Sequence, residues 1–160
     1  MEIKGFTLIE LLFTMILFAT LAFLGVASTS YLMDKNEQQT LTDEIRSAVQ
    51  YAKIQAIVLG NPVCLSALDP NFNWSKGMTL TRLSKKTNEK ELLYQWQWHH
   101  PHWIVAWSGI NSPRKIIVSN NPITAISNGQ FRLTNIQTKV EVVLVLNRLG
   151  RIRLKGSQNK

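Results

Sequence analysis

Lys4-Gly5-Phe6-Thr7-Leu8-Ile9-Glu10 leads into the apolar run whose reading decides the fold. From Phe6 to Ala27 the chain holds 22 residues and one charge, Glu10. A run of ~20 apolar residues is long enough to cross a bilayer as a helix. A secretory signal peptide has a shorter apolar core followed by a small-residue cleavage site, and neither is found here. Lys4 ahead of the span fits a cytoplasmic leader, Met1 to Gly5. A simple anchor does not explain Glu10. A carboxylate deep in lipid costs roughly 2.5–3.5 kcal/mol on insertion scales and requires a partner.

The helical pattern continues past the apolar run. Leu41, Ile45, Ala48, Val49, Ala52, Ala56 and Leu59 recur at spacings of three and four, with Asp43, Arg46, Gln50 and Lys53 largely between them. Such spacing predicts an amphipathic helix that buries one face. Gly60 and Pro62 end it. The intervening residues, Asp34 to Gln39, are polar but contain no Pro or Gly, so one helix from Phe6 to Leu59 is expected. The apolar half contains no proline, only Gly25.

Beyond Pro62 the period changes. Strands are expected at 63–65, 78–83, 92–98, 103–107, 116–118, 130–134, 140–146 and 151–154. Turn signals separate them, among them Asp69-Pro70-Asn71, Asn128-Gly129 and Leu149-Gly150. The fold class is therefore α+β: a long N-terminal helix packed on an antiparallel β-sandwich. The expected domains are a leader at 1–5, a membrane and assembly helix at 6–27, and a soluble domain at 28–160.

The chemistry-bearing residues are sparse. Cys64 is the only cysteine, which excludes an intrachain disulfide and a cysteine zinc cluster, and its apolar neighbours suggest an inert thiol. His99, His100 and His102 have no nearby carboxylate in sequence after Glu91, and Pro101 interrupts them, so an exposed loop is expected rather than a metal site. Tyr94, Trp96, Trp98, Trp103 and Trp107 are expected to fill the core, with a stacking platform for unpaired bases as the alternative. No nucleophile elbow or phosphate loop occurs, and no catalytic residue, enzyme activity or cofactor is expected.

Charge is the more informative property. The chain carries +8, a balance that favours an anionic partner. From Val142 to Lys160 there are five basic residues and no acidic one. If Arg151 to Lys155 is extended, Arg151, Arg153 and Lys155 share one side, and Ile152 and Leu154 turn inward. Arg148 lies across the Leu149-Gly150 turn. A row of guanidiniums suits phosphate, which Arg binds in bidentate fashion, and reads no base edges. The competing reading is an edge strand whose cations prevent sheet-to-sheet association.

Three groups of residues resemble one family. Lys4-Gly5-Phe6-Thr7-Leu8-Ile9-Glu10 resembles the prepilin processing site of type IV pilins and type II secretion pseudopilins. Ala52 to Val63 and Trp74-Ser75-Lys76-Gly77 resemble the helix-to-strand junction and strand start of FimT/GspH-type minor pilins. Ile126-Ser127-Asn128-Gly129 and Val143 to Arg153, ending in Gly150-Arg151-Ile152-Arg153, resemble their closing strands. No such likeness covers Leu83 to Pro122. The resemblance implies cleavage after Gly5 by a prepilin peptidase and N-methylation of Phe6. It pairs Glu10 with the terminal amine of a neighbouring subunit. It implies a single-pass bacterial inner-membrane protein that enters an extracellular fibre with other pilin subunits. FimT-like pilins are associated with DNA uptake in natural transformation. DNA is therefore the expected partner, held at Arg148, Gly150, Arg151, Arg153 and Lys155. The alternative is a structural pseudopilin of type II secretion, or a pilus assembly initiator, without DNA binding.

Mass spectrometry of the mature protein is expected to find a methylated Phe6 at the N-terminus; an intact Met1 in assembled fibres would contradict this. Glu10→Val should leave the soluble domain folded and impair incorporation.

Overall fold

The computed structural model describes residues 7–83, 90–110, 112–121 and 126–159, with the side chains of 24–31 and 157–159 outside the description. One helix, α1 (Leu8–Leu59), precedes eight strands. The chain divides into two units, Met1–Gln39 and Thr40–Lys160.

In the first unit, α1 opens with a capping box. The Thr7 hydroxyl oxygen accepts from the Glu10 amide at 3.3 Å, and the Glu10 carboxylate accepts from the Thr7 amide at 3.1 Å. Glu10 thus has a local partner within the chain. The Thr14 and Thr20 hydroxyls donate to the Leu11 and Leu17 carbonyls, which leaves neither hydroxyl proton unsatisfied on an apolar surface. Large side chains from Leu8 to Phe23 are exposed all round the helix. The expected 6–27 span includes Phe6 and side chains 24–27, which lie outside the described residues. Among the described residues no helix is long and apolar enough to cross a membrane.

In the second unit, α1 buries the face its spacing predicted. Leu41, Ile45, Ala48, Val49, Ala52 and Ala56 are fully buried, and Leu59 packs at the margin. Three alanines at intervals of four contribute small side chains to this buried face. Gly60 ends the helix at φ 62°, a left-handed conformation that favours glycine. Asn61 and Asn120 donate to the Leu59 and Gly60 carbonyls.

The strands are β1 (Val63–Ala67), β2 (Gly77–Leu83), β3 (Lys90–Gln97), β4 (Trp103–Gly109), β5 (Lys115–Val118), β6 (Gly129–Asn135), β7 (Val140–Leu146) and β8 (Ile152–Asn159). Two antiparallel four-stranded sheets result, in the orders β3-β2-β1-β5 and β4-β6-β7-β8. Alternation sends Val63 and Leu65, Trp103 and Val105, Phe131 and Leu133, and Val142 and Leu144 into one core with the α1 face. Trp74, Trp107 and Phe131 form an aromatic centre there, with Trp107 and Phe131 ring centroids 4.6 Å apart. Ser75 joins the sheets, its hydroxyl oxygen accepting from the Val105 amide at 2.8 Å.

The expected aromatic core divides. Trp98, Trp103 and Trp107 are buried, whereas Tyr94 is about half exposed and stacks with Trp96 and the helix residue Tyr51. The cause is the edge position of β3 and a register shift beside Leu80. His99 is exposed as expected, but His100 is mostly buried and pairs with Glu44 of α1 at 2.9 Å. That carboxylate is 56 residues away in sequence. Among the described residues no three His, Cys, Asp or Glu come together to hold a metal. Burial pushes the Cys64 thiol up, partly offset by Lys115 and Lys90, so it stays protonated at neutral pH.

A protein that begins near Ser28 should be soluble and folded, whereas one that begins after Leu59 should aggregate because it uncovers the sheets. Solubility and circular dichroism measure both. Phe131→Ala should cost about 3–5 kcal/mol in urea unfolding; a loss under 1 kcal/mol would contradict the packing described.

Candidate nucleic-acid interface

The β7–β8 connection is built by Asn147. Its side-chain oxygen accepts from the Leu149 amide at 3.0 Å and the Arg151 amide at 2.9 Å, and its carbonyl accepts from Gly150. An Asx-type turn of this kind lets a short polar side chain replace a missing strand partner. Gly150 has φ 74°, and a Cβ there would lie 2.5 Å from Ile126 Cδ1 and 2.6 Å from Lys53 Cδ. Glycine is thus favoured by the backbone conformation, and a Cβ would also require the Ile126 and Lys53 side chains to shift. Gly150 is buried and so shapes the turn from within, while Arg148 and Arg151 are exposed on either side.

The expected basic row is distributed over neighbouring clefts. Arg151 and Arg153 line a cleft of about 590 Å³ with Arg46, Gln50, Lys53, Ile54 and Ile57 of α1. No acidic residue lines it. Arg148 lies on the other side of the turn, in a cleft of about 440 Å³ with Lys53, Ile57, Asn120 and Ile126. Lys155 lines a smaller groove on the sheet face, where Arg132 and Glu141 pair at 2.9 Å. The alternation holds from Ile152 to Leu154, and two local features bound it. Arg151 closes the turn and precedes β8, and an irregularity between Val142 and Leu144 falls where Gly156 adopts φ 120°. Arg153 sits opposite Val145, while Ile152 and Leu154 sit opposite the buried Leu146 and Leu144. Ile152 packs on the core as expected. Leu154 is 50% exposed, because β8 is an edge strand with nothing beyond it. Among the described residues, Arg148, Arg151, Arg153 and Lys155 take part in no ion pair, whereas Arg46 is paired with Asp43 at 2.7 Å.

Residues absent from the sequence reading of this site are Asn147 and the helix wall. Arg46, Gln50 and Lys53 stand in the sequence as the solvated face of an amphipathic helix. Their i, i+4 and i, i+3 spacing places them on one stripe, but only the tertiary fold brings that stripe beside β8. Gly5 and Phe6, the expected processing residues, lie outside the described residues.

Residues 41–150 match the family model described as type II transport protein GspH. No curated protein sequence matches the chain significantly. Among solved structures, the chain is similar to the type IV minor pilin FimU of Pseudomonas aeruginosa, at 19% identity and a TM-score of 0.60 over 77% of this chain and 91% of that one. It is also similar to the minor pseudopilin EpsH from the type 2 secretion system of Vibrio cholerae, at 11% identity and a TM-score of 0.50 over 74% and 95% of the two chains. The capped helix, the paired four-stranded sheets and the family match agree: the chain belongs to the GspH family of minor type IV pilins and pseudopilins.

Proposed function

We propose that this minor pilin binds DNA without sequence preference and supports DNA uptake in natural transformation. The observation that carries the reading is the acid-free cleft with Lys53 and Arg46 on one wall and Arg151 and Arg153 on the other. Cations on two sides of a cleft can follow a phosphate backbone, which carries no sequence information itself. Arg148 and Lys155 extend the positive surface beyond it.

The membrane reading belongs to the same proposal. The helix from 6 to 27 anchors the precursor in the bacterial inner membrane. Prepilin peptidase cleaves after Gly5, Phe6 is methylated, and Glu10 meets the terminal amine of the next subunit in the fibre. The exposed apolar side chains from Leu8 to Phe23 support this, since a helix apolar all round requires lipid or neighbouring helices. A structural pseudopilin without DNA binding is the second reading, favoured by the family model's type II transport description.

The test is DNA binding by full-length protein in non-ionic detergent at several salt concentrations. Three to four neutralised phosphates give a slope of log K against log salt of about −3. The double substitution Arg151→Gln, Arg153→Gln should weaken binding to all sequences alike and flatten the slope to about −1. Stability should change by no more than ~0.5 kcal/mol per exposed site. Parent-like affinity in a folded double variant would exclude this cleft. A parent that binds no DNA even at low salt would leave the structural pseudopilin.

A further inference from the structure

The arginine turn is held from outside as well as by Asn147. The Arg148 carbonyl accepts from the Ile126 amide at 3.1 Å, and the Leu149 carbonyl accepts from Lys53 Nζ at 2.9 Å. The Asn147 and Arg151 carbonyls are occupied within the turn. Four successive-neighbourhood oxygens, each the negative end of a peptide dipole, are therefore turned onto donors. An open carbonyl beside two arginines would repel a phosphate. Lys53 is the one side chain among these donors. It reaches the turn from a different element, 96 residues away in sequence. Its stem also lies against Gly150, where a Cβ would stand 2.6 Å from Lys53 Cδ. Its ammonium has three donors, of which the carbonyl takes one.

We propose that Lys53 is the positioning residue of the arginine turn: it fixes Arg148 and Arg151 relative to the helix wall, so that α1 and the β7–β8 connection act as one anion-binding unit. This rests on the DNA-binding reading for its consequence, but the holding of the turn is independent of DNA. The geometry also gives Lys53 membership of both clefts, since it lines the one that contains Arg151 and the one that contains Arg148.

The experiment compares full-length parent, Lys53→Met and Lys53→Arg in non-ionic detergent. Met keeps the length of the stem and removes the donor and the charge. Hydrogen exchange of the DNA-free proteins is read at the amides of Leu149, Gly150 and Arg151, with those of β6 and β7 as a folding control. Binding to duplex DNA is read across salt. In Lys53→Met the turn amides should exchange about tenfold faster, the size of one charge-assisted hydrogen bond. The salt slope should flatten by more than the ~0.9 that one lost phosphate contact accounts for. Lys53→Arg should restore both. Unchanged exchange, or a slope that changes by no more than ~0.9 while exchange accelerates, would overturn the proposal. The first outcome makes Lys53 a plain contact, and the second makes it a structural residue only. If the parent binds no DNA, the DNA-binding reading fails, and exchange alone decides whether Lys53 holds the turn.

Discussion

The packing of the buried α1 face on the sheets is the constraint on which the rest of this molecule depends. Ala48, Ala52 and Ala56 are fully buried between Leu41, Ile45 and Val49. Burial of this face seats the helix on the sheets, and that seating puts Lys53, on the neighbouring stripe, within reach of a carbonyl in the β7–β8 turn. A larger residue in the alanine stripe would displace the helix outward, and overpacking of this kind costs typically 1–3 kcal/mol. It would also widen the gap that Lys53 spans. The hydrophobic contact and the basic cleft are therefore one arrangement seen at two distances.

The glycine of the turn makes the same point in reverse. Gly150 is in the Gly-Arg-x-Arg segment, yet in the structure it is buried at positive φ, with the Ile126 and Lys53 side chains close to where a Cβ would stand. The cations that face solvent are the residues around it. A short basic motif can thus be mixed in function, with some positions for charge and one for clearance.

Much of the fold was legible because its signals are periodic. The buried face of α1 follows spacings of three and four, and the strands alternate, so the helix and all eight strands stand close to where the pattern predicted them. The candidate site was less legible. Arg148, Arg151 and Arg153 are evident as a basic run, but the separation of Arg148 from Arg151 and Arg153 follows from the Asn147 turn, which acts on backbone geometry and leaves little trace in polarity. Lys53 and Glu44 were hidden for a different reason. Both are ordinary helix-surface residues, and their partners, Leu149 and His100, are distant in sequence. The Thr7-x-x-Glu10 capping box is present in the sequence as a short-range signal, beside the cost of a lone carboxylate in an apolar run. Tyr94 and Trp96 illustrate the limit of strand alternation at a sheet edge, where Tyr51 of α1 covers the inward face only in part.

The account's central claim is that the anion site has two walls, one helical and one from the β7–β8 connection. The most direct measurement is nuclear magnetic resonance of the isotope-labelled full chain in detergent, titrated with short duplex DNA. The account predicts concerted shifts at Arg46, Gln50 and Lys53 of α1 and at Arg148, Arg151 and Arg153, with the amides around Tyr94 and Trp96 unmoved. Shifts confined to the hairpin, or centred on Tyr51, Tyr94 and Trp96, would contradict it.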